Sequence, residues 1–248
     1  MRLKVGSFNI SIAKDYDEMS KIGAQIMASQ ILFKPNAVLG FATGSTPVGM
    51  YKELINLHKQ GILDFSQVTT YNLDEYYPIK RGNDQSYFYF MHDNLFNHIN
   101  LKSNNIHVPN GEAADIQQEC DSYEQRLRAS GIDMQLLGIG NNGHIAFNEP
   151  SDAFDDTTHV VSLTESTIEA NARFFNDASE VPKQAVSMGI GSIMTAKRIL
   201  FLATGENKAE AVKQMFYGPI TSQMPASALR MHRKVDVVLT KDIYDIIF

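Results

Sequence analysis

Short apolar runs rich in β-branched residues recur along this chain, and longer stretches with helical spacing lie between most of them. The runs at 37–41, 68–73, 135–139, 184–188, 198–202 and 235–239 predict strands, several apolar on both faces, as when helices cover both sides. Helices are predicted over 15–33, 47–60, 85–97, 115–130, 164–175 and 207–217. On the first, Met19, Ile22, Ile26 and Leu32 mark the stripe expected to face the core. Strand–helix alternation of this kind predicts an α/β fold: a doubly wound, mainly parallel sheet with helices on both faces, Rossmann-like in layout. No internal repeat, low-complexity tract or linker divides the 248 residues, a length suited to a single domain over 1–248.

Composition narrows the function classes. With 44% hydrophobic and 20% charged residues the chain reads as a soluble globular protein. Its net charge of −6, without any Lys- or Arg-rich run, argues against nucleic acid as a partner. Two or three placed cations would still suffice for an anionic small molecule. Apolar stretches such as 199–203 are too short to span a bilayer, and the N-terminal residues show no apolar secretory core. The lone Cys120 can form no internal disulfide and suits a reducing compartment, so a cytoplasmic location without membrane attachment is expected.

In open α/β sheets, ligands bind beyond the carboxyl ends of the strands, and three strand ends here carry unusual residues. After 37–41 come Ala42, Thr43, Gly44, Ser45, Thr46 and Pro47. Pro47 suits a first helical position, with Ser45 or Thr46 as the cap. A hydroxyl-rich turn at a helix N-terminus can hold phosphate, although it can equally be an ordinary capped turn. After 68–73 stands Asp74, where partial desolvation would make a carboxylate a better base. A solvated Asp-Glu pair is the plainer account of Asp74 and Glu75, and Tyr76 and Tyr77 suit a pocket wall or simple packing equally well. After 135–139 the chain reads Gly138-Ile-Gly-Asn-Asn-Gly-His-Ile-Ala-Phe-Asn-Glu-Pro150. Gly138, Gly140 and Gly143 permit unusual backbone and close approach, and Asn141 and Asn142 tolerate left-handed geometry. His144 can exchange protons near neutral pH with Glu149 to orient it; no second His or Cys stands nearby at metal-ligand spacing. Arg173, on a predicted helix, and Lys208, just past a strand end, can each be an ordinary surface cation; Lys208, at the start of a helix on the carboxyl edge of the sheet, is the better candidate for phosphate.

Four segments together carry a family resemblance: Leu39-Gly-Phe-Ala-Thr-Gly-Ser-Thr-Pro47, Asn72-Leu-Asp-Glu-Tyr76, residues 138–150, and Gly205-Glu-Asn-Lys-Ala209. In order and spacing they resemble the motifs of the glucosamine-6-phosphate deaminases. The resemblance implies a cofactor-free and metal-free aldose–ketose isomerisation with deamination, converting glucosamine 6-phosphate and water to fructose 6-phosphate and ammonium. It implies that His144, oriented by Glu149 and Asn142, opens the pyranose ring. Asp74 would then move the C2 proton to C1 through an enolamine, while Thr43, Gly44, Ser45, Thr46, Arg173 and Lys208 hold the phosphate.

Two departures from the family pattern stand out. Better-known members have an aspartate where this chain has Asn142, which leaves Glu149 more of the task of stabilising imidazolium. The allosteric hexameric members resemble one another in basic residues after the glutamate and in a longer tail. Here residues 155–161 read Asp-Asp-Thr-Thr-His-Val-Val and the sequence ends at Phe248. The expectation is an unregulated monomer or small homo-oligomer whose partner is a phosphorylated amino sugar. Galactosamine-6-phosphate deaminases and 6-phosphogluconolactonases are rival sister activities, and a non-catalytic sugar-phosphate sensor is a rival of another class. The lactonases share the glycine–histidine segment but have no need of a C2 base.

Overall fold

A computed structural model describes residues 2–163 and 181–248 of the chain. Its main sheet contains β1 (Arg2–Val5), β2 (Phe8–Ala13), β3 (Val38–Phe41), β4 (Thr69–Asn72), β6 (Ile106–His107), β7 (Met134–Leu137), β10 (Ile199–Ala203) and β11 (Val235–Thr240). The strand order is β1-β2-β11-β10-β7-β3-β4-β6, parallel throughout except for the β1–β2 hairpin. From β3 the chain winds outward to β4 and β6, then returns to β7 on the other side of β3 and continues outward to β10 and β11. The winding therefore reverses between β3 and β7, where such sheets open a crevice at their carboxyl ends. The doubly wound α/β expectation holds for this sheet.

Helices α1 (Tyr16–Phe33), α2 (Val48–Lys59), α3 (Tyr87–Asn94), α4 (Ile116–Ser130), α5 (Ile190–Met194), α6 (Ala209–Tyr217) and α7 (Lys241–Ile247) surround it. Tyr51 of α2 meets Phe41 edge-on at one face of the sheet, and Tyr123 of α4 meets Tyr71 at the other. Asp15 caps α1 by accepting the Glu18 N–H at 2.8 Å. The buried stripe of α1 is Met19, Gly23, Ala24, Met27 and Ile31, rotated from the one expected, and Leu32 is 59% exposed. Gly23 explains the rotation. A Cβ there would lie 3.1 Å from Met50 Sδ and 3.2 Å from Leu202, so the helix uses its small-residue face to approach α2 and the sheet.

The run at 184–188 departs from expectation more sharply. It forms β9 (Gln184–Ser187), the centre of a separate antiparallel sheet between β5 (Asp74–Tyr77) and β8 (His159–Ser162). Apolar side chains on both faces satisfy a sandwiched strand in either setting, so composition alone did not separate the two. Asp74 is thus the first residue of a strand that leaves the main sheet at Leu73. The helix expected over 164–175 and its Arg173 lie outside the described residues.

Candidate active site

The loop after β7 is held by glycines at two positions. Gly143 has φ +86°, and a Cβ on it would collide with Met224 Sδ. Gly140 carries the His144 ring directly against its backbone; a Cβ would sit 2.2 Å from the imidazole Cε1. Gly138 has open space around it and ordinary φ, so neither constraint applies there. Among the described residues the non-glycine residue with positive φ is Ala146, at +53°, rather than Asn141 or Asn142 as the sequence suggested. A clasp pins both ends of the loop: Ala226 N–H donates to Gly143 O at 2.9 Å, while Ser222 Oγ and Gln223 Nε2 each donate to Ser151 O at 2.7 Å.

Within it, Asn142, His144 and Glu149 form one network. Asn142 Nδ2 donates to Glu149 Oε2 at 2.6 Å, which turns Asn142 Oδ1 toward the histidine. That oxygen lies 2.7 Å from His144 Nδ1 and also accepts the His144 backbone N–H at 3.2 Å. Glu149 Oε1 stands 3.3 Å from the same Nδ1. Two acceptors facing Nδ1 place the proton there and leave Nε2 as the nitrogen that exchanges protons with a ligand.

Asp74 reaches this loop through the small sheet. It pairs with Ser187, so both side chains share a face of that sheet, and Ser187 Oγ accepts the Phe147 N–H at 3.2 Å. Asn148 Nδ2 adds a bond to Met188 O at 2.8 Å, while Met188 N–H donates to Leu73 O at 2.8 Å. Asp74 and the His144–Glu149 loop are therefore both stitched to Ser187 and Met188 at the end of β9. Neither acid of the Asp74–Glu75 pair is solvated; they are 6% and 1% exposed. Burial, reinforced by the neighbouring Glu75 charge, pushes Asp74 up to about 8. Tyr76 is packing: its ring lies 5.7 Å from Phe147 and 4.8 Å from Tyr87 in a second small core.

The remaining candidates flank the β7 loop on adjacent strand ends. Thr43, Gly44, Ser45 and Thr46 follow β3, with Gly44 at φ +91°. Neither Ser45 nor Thr46 caps α2 through its side chain. The Tyr16 hydroxyl does that instead, accepting Gly49 N–H at 2.8 Å and donating to Ser45 O at 2.9 Å. That frees both hydroxyls for a ligand. Lys208 follows β10 on the other side and precedes α6. It is half-buried, burial lowers its pKa, and among the described residues it forms no ion pair. Asn207 Nδ2 donates to Asn141 Oδ1 at 3.1 Å, joining the Lys208 turn to the β7 loop. The roles of Ser187, Tyr16 and the 222–226 clasp carry no local sequence signal, since each partner is distant in the chain.

Residues 16–239 match the family described as glucosamine-6-phosphate isomerases/6-phosphogluconolactonase. A glucosamine-6-phosphate deaminase from Clostridioides difficile is 57% identical over 231 residues, 93% of each chain. One from a Thermoanaerobacter species is 53% identical over 239 residues, 96% of this chain and 94% of that one. The solved structure of a monomeric glucosamine-6-phosphate deaminase superimposes with a TM-score of 0.92 at 46% identity, covering 96% of this chain and 99% of the other. A Thermotoga maritima 6-phosphogluconolactonase, at 19% identity and a TM-score of 0.75 over 94% of this chain and 99% of that one, shares the fold. The chain belongs to the glucosamine-6-phosphate isomerase/6-phosphogluconolactonase family.

Proposed function

We propose that the protein is a glucosamine-6-phosphate deaminase, a hydrolase of amino-sugar catabolism that forms fructose 6-phosphate and ammonium. The observation that carries this is the meeting at one sheet edge of a buried carboxylate and an oriented imidazole, with hydroxyls and a half-buried cation on the flanking strand ends. The identity to named deaminases supports the same activity. A buried base is what C2 proton abstraction needs, and lactone hydrolysis removes no C2 proton. The family match over 16–239 supports one catalytic domain across 1–248.

The Thr43–Thr46 turn and Lys208 hold the phosphate, with Arg173 the further cation implied by the sequence. Binding energy spent on the phosphate, far from C1 and C2, fixes the reacting end of the sugar. His144, through Nε2, delivers a proton to the ring oxygen as the C1 hydroxyl loses one, giving the open aldehyde. Asn142 and Glu149 hold the ring edge-on and stabilise the charge that appears when His144 is protonated. Asp74 removes the C2 proton to give the enolamine and returns it to C1, leaving an imine at C2. Water adds to that carbon and ammonia departs, so the C–N bond broken is balanced by the C=O formed. A carboxyl pushed up to about 8 is a strong base for its type and exchanges protons near neutral pH.

Among the described residues no helix is long and apolar enough to cross a membrane. A cytoplasmic monomer or small homo-oligomer without nucleic-acid partners is the accompanying proposal, and the monomeric relative supports the simpler state. Incubation with glucosamine 6-phosphate should yield ammonium and fructose 6-phosphate in equal amounts. Turnover confined to the galactosamine epimer or the gluconolactone, run in parallel, would assign a sister activity, and binding without turnover a sensor.

A further inference from the structure

Glu75, which the mechanism does not use, is the most completely bonded buried acid near the site. Its Oε1 accepts the N–H groups of Tyr76 at 2.9 Å and Tyr87 at 2.8 Å, and its Oε2 accepts that of Phe88 at 2.8 Å. Tyr87 and Phe88 open α3, so two of these donors are the orphan N–H groups at the positive end of a helix. Three N–H donors favour the ionised form and oppose burial, which pushes the group up to about 7. Asp74, one residue earlier, points to the other face of β5 and accepts no hydrogen bond among the described residues. The two carboxylates thus sit back to back across a buried strand, one firmly held and one unheld.

We propose that Glu75 is a positioning residue for Asp74: it anchors β5 to the first turn of α3 and, when ionised, places a negative charge beside Asp74 that keeps it basic enough to take the C2 proton. This rests on the assignment of Asp74 as the base. Among the described residues, other titratable groups face the pair from several elements. Tyr76 on β5, Tyr87 on α3 and Tyr123 on α4 interact with Asp74, and Arg81 in the loop after β5 attracts Glu75. His159 on β8 shares the Ser187 row and is paired with Asp155 at 3.3 Å, and the loop that carries His144 and Glu149 meets that face through Phe147 N–H on Ser187 Oγ. The tyrosines are pushed up by burial and stay neutral in the working range. Glu75 is the adjacent charge that can act on Asp74 without screening by water.

The test is a carbon-13 NMR titration of carboxyl-labelled, substrate-free protein, with ammonium release measured alongside. Glu75→Gln keeps the Oε1 bonds and removes the charge. It should lower the Asp74 midpoint by about one pH unit and move the ascending limb of kcat/KM to lower pH by the same amount. Glu75→Asp retains the charge with a shorter reach, so its Asp74 midpoint should stay near wild type while thermal stability falls. An unchanged Asp74 midpoint in folded Glu75→Gln, or the same shift in both variants, overturns the proposal. Should Glu75→Gln not fold, the wild-type titration decides. Asp74 should titrate in two steps, one tracking Glu75, and two independent single-step curves would refute the coupling. Wild-type protein that releases no ammonium defeats the deaminase assignment instead, and the midpoint comparison still judges the electrostatic link.

Discussion

The loop carrying His144 and the strand carrying Asp74 solve opposite problems. In the loop, Asn142, the Nδ1 side of His144 and Glu149 are bonded to one another, and two glycines fix its shape from within the same twelve residues. At the strand, Asp74 is buried without a hydrogen bond among the described residues, against a neighbour that holds three. Orientation is what the imidazole receives, and basicity is what the carboxylate receives. The contrast suits a reaction in which one group must point at a ring oxygen and the other must remove the C2 proton beside the newly formed aldehyde.

The sharpest way to break the loop side is Gly140→Ala, whose Cβ takes the space of the imidazole. Displacing His144 by about 1 Å should lower kcat about 100-fold with folding intact, measured by ammonium release and circular dichroism. Lys208→Ala probes the proposed phosphate anchor; if it holds the phosphate, loss of that charge-assisted contact should raise KM about 10- to 100-fold with kcat less affected. Asn142→Asp adds a second carboxylate beside His144, which should favour the imidazolium. Activity should remain within about tenfold of wild type, with the His144-dependent limb of the pH profile moved upward.

The smallest expected effect concerns stability. Asp74 titrates at about 8 in the fold against 3.8 unfolded, so the folded state binds this proton more tightly. Its contribution to stability is complete below about pH 4 and is lost as pH rises through about 8. Asp74→Asn should therefore melt higher than wild type at pH 9, by about 2–4 °C for each kcal/mol regained, with a smaller gain at pH 5.

These two regions also differ in how legible they were. The His144 network was readable because its members lie within eight residues, and glycine spacing marks a loop that folds on itself. The surroundings of Asp74 were not, because β9 and β8 arrive from residues 184–187 and 159–162, far along the chain. A solvated Asp-Glu pair was the natural account of two adjacent acids until that sheet covered them. The Thr43–Thr46 turn does lie between β3 and α2, but the cap of that helix comes from Tyr16 in another helix, a contact with no local signature. The reversal of winding between β3 and β7 followed from strand order, which alternation alone does not determine.

The central claim is that Asp74 removes the C2 hydrogen within the site that His144 serves. Proton NMR of glucosamine 6-phosphate with the Asp74→Asn variant tests it at the atom concerned. The C2–H signal should persist about 100-fold longer than with wild-type protein, while sugar-phosphate binding is retained. Loss of that signal at a rate near wild type would place the base elsewhere and contradict the account.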